Sequence, residues 1–164
     1  MPDLRRIISP WEGYGPEDYN CFVCSPNNQG GLRLKFYEDG DDVVTTWTPS
    51  RQFESWSHVL HGGIQATLID EAGGWVICRK LQTCGVTTRF NLKYRKTVPT
   101  GKPLEVRCRI SEIKRSFAIL TGEIRVDGEV CTEAEMTYFC APKEKAISDY
   151  RFTECKVEDL PESE

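Results

Sequence analysis

The stretch HVLHGGIQATLIDEAGGWVI, residues 58–77, places residues capable of chemistry at an unusual spacing. Gly62 and Gly63 open an amphipathic helical pattern. Their backbone N–H groups stand unpaired at the positive end of a helix dipole, with no Cβ to block approach. That is the layout of a hole for a developing oxyanion. His61 immediately precedes them, and Asp70 follows about two turns on. At about 100° per residue, Ile64, Leu68, Ala72, Trp75 and Val76 fall on one apolar stripe, with Ile69 at its edge. Asp70 points roughly the opposite way, among Gly63, Ala66, Thr67, Gly73 and Gly74. A solvated helix face is ordinarily Lys, Glu and Gln; this one is small and almost uncharged. Two mid-helix glycines each cost about 1 kcal/mol against Ala, which suits a face that something approaches closely.

Two readings of this face stand side by side. In one, the glycines serve helix packing and Asp70 is a solvated acid. In the other, the carboxylate is the centre of a site. Glu71 is the rival carboxylate; it lies near Leu68 and Trp75, where a surface salt bridge is its simplest account. His58 and His61 form only an HxxH without a carboxylate partner, which is weak as a metal site, and either is equally read as packing or capping.

The elements that must position these residues follow from periodicity. GLRLKFYED (31–39) alternates and predicts a strand, GDD (40–42) a turn and VVTTWTPS (43–50) a second strand. A helix is expected over about Gly63–Leu81. GVTTRFNLKYRKTV (85–98) alternates again, with Thr88, Phe90, Leu92 and Tyr94 opposite Thr87, Arg89, Asn91 and Lys93. Three further strands are expected over 104–114, 116–126 and 129–141, with Asp127-Gly128 as a tight hairpin turn. The order β-β-α-β-β-β-β lacks the alternating helices of a doubly wound fold. It predicts an α+β domain, one curved antiparallel sheet of about six strands wrapped around one long central helix. The expected organisation is an irregular arm over 1–30, the domain proper over 31–142 and a charged, partly helical tail over 143–164.

The chain has 164 residues, enough for one domain with a real core. Its net charge of −4 argues against a nucleic-acid binder, because phosphate neutralisation needs a basic face. No run approaches the roughly 18 apolar residues of a membrane span, and the N-terminus carries no apolar core of a secretory signal, so a cytoplasmic location is expected. The 8 cysteines are then expected as reduced thiols rather than disulfides. Cys21 and Cys24 form a CxxC, but no second CxxC or nearby His pair completes a zinc site in the sequence. Trp47, Phe53, Trp56 and Trp75 are read as pocket lining or as core.

HGGIQATLIDEAGG resembles the HGG-x(6)-D-x-A signature of hotdog-fold acyl-CoA thioesterases of the phenylacetate-degradation and 4-hydroxybenzoyl-CoA types. CFVCSPNNQGGLRLKF resembles the CFxCGxxNPxGLxL opening of many of these proteins, and TTRFNLKYRKTVPTGKPLEVRCRI their post-helix strand. Together the matches cover residues 19–141. The resemblance implies a hotdog fold and hydrolysis of an acyl-CoA to free acid and CoA, with no cofactor beyond the CoA of the substrate and no metal. It implies Asp70 as base or nucleophile, the Gly62 N–H aided by Gly63 as oxyanion donor, and His61 as the group that orients substrate or water. Thr87, with Thr88 as its alternate, supports the carboxylate, and Lys114 and Arg115 meet the CoA phosphates. Ser25, Gln29 and Ser55 depart from the family pattern. A hotdog protein that binds acyl-CoA or acyl-carrier protein without turnover is the alternative. A hotdog dehydratase is disfavoured, because WSHVLHGGI lacks that group's Pro-Gly-rich loop.

Gly62 and Asp70 lie eight residues apart, or ~12 Å along one helix. Oxyanion donor and base must each stand about 3 Å from one thioester group. One chain does not supply both, so a homodimer with antiparallel helices and two shared sites is expected. The resemblance adds pairing of such dimers into tetramers.

Overall fold

The computed structural model describes residues 4–162; the first three residues of the expected arm and the last two of the tail lie outside it. In chain order the elements are β1 (Leu4–Ile8), β2 (Tyr37–Asp39), β3 (Asp42–Trp47), α1 (Gly62–Val76), β4 (Gly85–Tyr94), β5 (Leu104–Lys114), β6 (Phe117–Val126), β7 (Glu129–Cys140), α2 (Lys143–Tyr150) and β8 (Lys156–Asp159). The strands form one antiparallel sheet in the order β4-β7-β6-β5-β3-β2-β1-β8, and α1 packs across strands β3 to β7. The expected α+β architecture, a curved sheet around one long helix, is what the chain adopts.

The sheet has eight strands rather than six, because both chain ends add to it. Leu4–Ile8 pairs with β2 on one side and with Lys156–Asp159 on the other, so the arm expected to be irregular opens with a strand. These strands are short, and their alternation is too brief to stand out in the sequence. The strand expected over 31–39 is reduced to Tyr37–Asp39. Leu34 and Phe36 do point into the core. The backbone before them, however, bonds to a loop: Leu32 and Leu34 N–H donate to the carbonyls of Phe22 and Val23 at 2.9 and 2.8 Å.

The expected helical stripe is buried. Leu68, Ile69, Ala72, Trp75 and Val76 face the sheet, with Val43, Val106, Leu120, Ile124 and Met136 opposite; Ile64 is only partly buried. Each fully buried Leu or Ile there contributes ~1.5–3 kcal/mol. Gly122 lets the helix come close: a Cβ at that position would lie 2.7 Å from both Ile69 Cγ2 and Cys108 Sγ. Of the four aromatic residues considered above, Trp75 is core, Trp47 and Phe53 meet edge to face at 5.0 Å, and Trp56 is 82% exposed.

The helix expected to reach Leu81 ends as α-helix at Val76 and continues through one π turn, Ile77–Leu81, before Gln82 reverses it in the left-handed conformation. That turn brings Arg79 and Lys80 onto Glu38 of β2, at 2.8 and 2.7 Å. Arg5 of β1 joins them at 2.5 Å. Burial would raise the Glu38 carboxyl, but the hydrogen bonds and charges of Lys80 and Arg79 outweigh it and hold it below the usual carboxylate value. No helix among the described residues is long and apolar enough to cross a membrane.

Candidate active site

Asp70 is held by two hydroxyl groups. Thr87 Oγ1, on β4, donates to Asp70 Oδ1 at 2.6 Å. Tyr138 Oη, on β7, lies 2.9 Å from the same oxygen and 2.8 Å from the Asp70 carbonyl. Asp70 Oδ2 takes no hydrogen bond among the described residues. Tyr138 is buried, and burial with the neighbouring Asp70 charge pushes its hydroxyl well above the ordinary tyrosine value, so it stays a donor. A carboxylate anchored through one oxygen, with the other free, is poised to take a proton or attack a carbon.

A β-bulge makes this possible. Thr87 pairs with Tyr138 and Arg89 with Thr137, leaving Thr88 as the extra residue. Thr87, Phe90 and Leu92 therefore all face inward, whereas regular alternation places Thr87 opposite Phe90. Thr88 turns out and donates to the Thr137 carbonyl at 3.0 Å, away from Asp70. Tyr138 is the residue that motif reading missed. Two signals pointed to it: a tyrosine on the inward face of a strand needs a hydroxyl partner, and Gly73 lies one turn from Asp70. A Cβ on Gly73 would run into the Tyr138 hydroxyl. This glycine makes room for the chain's own tyrosine. Gly74 faces open space.

The other half of the predicted constellation sits at the start of α1. His61 is the N-cap, and its Nδ1 accepts from the Gly63 N–H at 2.9 Å. The Gly63 donor is thus occupied, contrary to the expectation that it aids Gly62. The Gly62 N–H has no partner among the described residues, while its carbonyl accepts from Tyr94 Oη at 2.8 Å. A ring whose Nδ1 accepts a hydrogen bond carries its N–H on Nε2. Gly62 and Asp70 remain about 12 Å apart along the helix, so one chain does not bring donor and carboxylate together.

Lys114 and Arg115 form the exposed tip of the β5–β6 hairpin, with Arg115 in the left-handed conformation. Lys114 pairs with Phe117, Phe117 with Phe139, and Phe139 with Val86, the residue before Thr87. That row spans three strand spacings, about 14 Å. A cavity of about 470 Å³ opens one helical turn beyond Asp70, lined by Trp11, Tyr19, Gly74, Trp75 and Val86 among others.

Glu71 points elsewhere. Its expected salt bridge does not form among the described residues; Oε1 instead accepts from Trp75 Nε1 at 3.1 Å and from Cys21 Sγ at 3.3 Å. Burial, then the nearby Cys21 sulfur, pushes its carboxyl up to about 8.

Residues 57–133 match the family model of the thioesterase superfamily. Solved structures share the fold. One is a thioesterase superfamily protein with a TM-score of 0.69 at 24% identity, covering 81% of this chain and 69% of its own. A hypothetical thioesterase of Streptococcus pneumoniae solved with coenzyme A has a TM-score of 0.58 at 24% identity, over 62% of this chain and 82% of its own. A Streptococcus mutans protein bound to acetyl CoA has a TM-score of 0.60 at 19% identity, over 67% and 90%. No curated protein sequence matches. The family match and the shared fold bear out the resemblance to the hotdog-fold thioesterases.

Proposed function

From a hotdog chain whose residues 57–133 match the thioesterase superfamily, we propose an acyl-CoA thioesterase with Asp70 as base or nucleophile. The observation that carries this reading is the one-sided grip on Asp70, with Thr87 and Tyr138 on Oδ1 and, among the described residues, nothing on Oδ2. As base, Oδ2 takes a proton from water while the water oxygen attacks the thioester carbon. As nucleophile, it attacks that carbon itself, and water cleaves the resulting anhydride. Either way the carbonyl oxygen gains charge, the Gly62 N–H of a partner subunit meets it, and collapse breaks the C–S bond. The His61 Nε2–H, its tautomer fixed by the Gly63 cap, meets the departing sulfur.

This reading requires a two-fold dimer, and an open sheet edge favours one. β4 is 10 residues long with one sheet neighbour, so its free edge runs beside Thr87 and exposes Val86 and Tyr94. An unprotected edge of that length is a template for pairing with a second chain. Antiparallel pairing there lays the start of one α1 toward Asp70 of the other. The CoA of two structural relatives, and the Lys114-Arg115 tip about 14 Å along the sheet, fit a phosphate-bearing substrate. The 470 Å³ cavity beyond Asp70 has room for an acyl group against Trp11, Trp75 and Val86, with Asp18, Asp149 and Arg151 also on its wall.

The test is hydrolysis of a panel of acyl-CoAs, read as free thiol, for the wild type and Asp70→Asn. Equal rates would overturn the role of Asp70. Binding without turnover by the wild type would favour an acyl-CoA or acyl-carrier-protein sensor. Sedimentation of an active monomer would overturn the shared site.

A further inference from the structure

The CxxC of the arm lies against α1. Cys21 Sγ, Cys24 Sγ and a Glu71 carboxylate oxygen all lie within 4.8 Å of one another. Cys21 donates to Glu71 Oε1 at 3.3 Å, although 50 residues separate them in the chain. The Tyr19 hydroxyl meets Cys24 Sγ at 3.2 Å, and Trp75 Nε1 steadies the Glu71 oxygen from the other side. Glu71 is the anomaly. Glu38 is met by three cations and Asp42 by two. Glu71 is half-buried against Trp75, with no Lys, Arg or His at ion-pair distance among the described residues. A carboxylate drawn out of water without a cation is unfavourable. Two thiols beside it favour a soft or borderline metal over magnesium or calcium.

We propose that Cys21, Cys24 and Glu71 bind a divalent cation of the zinc class, which pins the N-terminal arm to α1. The size is right. Zinc–thiolate bonds of about 2.3 Å and a carboxylate bond of about 2.1 Å give tetrahedral edges of about 3.5–3.8 Å. The observed separations close to that with shifts of about 1 Å. Tyr19 and Trp75 supply the outer hydrogen bonds that metal ligands ordinarily have. The fourth position is left to solvent. Binding displaces the thiol protons as the S–metal bonds form, with no change of oxidation state. The sequence hides the site because its third ligand comes from the helix, not from a second CxxC. A dithiol–disulfide couple would need neither the carboxylate nor its indole donor. The proposal does not depend on thioesterase activity.

The experiment uses the full chain, reduced and stripped with a chelator, then titrated with Co²⁺ and with Zn²⁺. A thiolate-to-cobalt charge-transfer band saturating at one Co²⁺ per chain is expected. Cys21→Ser and Cys24→Ser should each abolish it, and a Cys78→Ser/Cys84→Ser control should keep it. Glu71→Gln should weaken binding by at least the roughly tenfold that loss of an outer-shell partner alone costs. X-ray absorption at the zinc edge of the wild-type protein reads the ligands without any substitution, and two sulfur neighbours are expected. No band in reduced protein, a band that survives Cys21→Ser, a zinc shell without two sulfurs, or a Cys21–Cys24 disulfide forming in the presence of Zn²⁺ would each overturn the site.

Discussion

Asp70 and Glu71 are consecutive carboxylates on one helix with opposite surroundings. Asp70 turns to the sheet end of Thr87 and Tyr138, where two hydroxyls hold one oxygen and leave the other free. Glu71 turns to the arm, where a thiol and an indole hold it and burial drives its carboxyl up to about 8. Two hydroxyl donors fix the orientation of the Asp70 carboxylate and leave its second oxygen open to react. Weak donors in an apolar setting favour a carboxyl that is protonated or that meets a metal. Glu38 is the third case, a buried carboxylate with its cations built in.

The largest effect should separate the first two residues. Asp70→Asn is expected to lower kcat for acyl-CoA hydrolysis by about 10³-fold, in the range of general-base catalysis. Glu71→Gln should keep it within about tenfold. Thiol-release rates alongside circular dichroism melts read both, and equal losses would break the distinction. Next comes Glu38→Gln, which strands Arg79 and Lys80 and should destabilise the fold by about 3 kcal/mol in urea melts. Because the Glu38 carboxyl is held below its usual value, the folded state binds fewer protons than the unfolded chain near and below that value. The ion cluster therefore adds stability above the ordinary carboxylate value of about 4.5. That stability drains away as the pH falls through the lower, folded value. Glu38→Gln should flatten this slope.

Thr87→Val and Tyr138→Phe each remove a hydrogen bond to a charged oxygen, worth about 1.5–3 kcal/mol. Each should lower kcat by about 10- to 100-fold and the melting temperature by several degrees. The smallest effect is Gly73→Ala. Its methyl displaces the Tyr138 ring, so an additional loss near tenfold is expected, comparable to loss of a single hydrogen bond. A Gly73→Ala enzyme as active as the wild type would mean that Tyr138 does not position Asp70.

The long central strands were legible because each buries one face: Leu104, Val106 and Cys108, or Met136 and Tyr138, alternate with less buried neighbours. The apolar stripe of α1 was legible for the same reason. Where alternation and pairing part company, the sequence misled. Leu32, Leu34 and Phe36 alternate, yet the Leu32 and Leu34 N–H groups bond to the loop at Phe22 and Val23, and only from Phe36 on does the segment meet a strand. The π turn after Val76 carries no mark of its own in ICRKL. In the candidate site, Asp70 and Gly62 announced themselves by type and place. Tyr138 did not, because it lies 68 residues from Asp70 and only the closed sheet unites them. His61 was legible as a neighbour of the glycines, but its grip on Gly63 belongs to the local fold of the cap.

Thr88 has a consequence for what lengths of chain this strand tolerates. Two inward side chains on a regular strand are always an even number of residues apart, yet Thr87 and Phe90 are separated by three. The bulge acts as a phase shifter between the reactive end of β4 and its core end. Deleting Thr88 would leave Thr87 and Phe90 two residues apart, so an unbulged strand would keep Thr87 on the Asp70 side and Phe90 and Leu92 in the core. Loss of this one residue should therefore be tolerated, at the cost of the local twist the bulge gives β4.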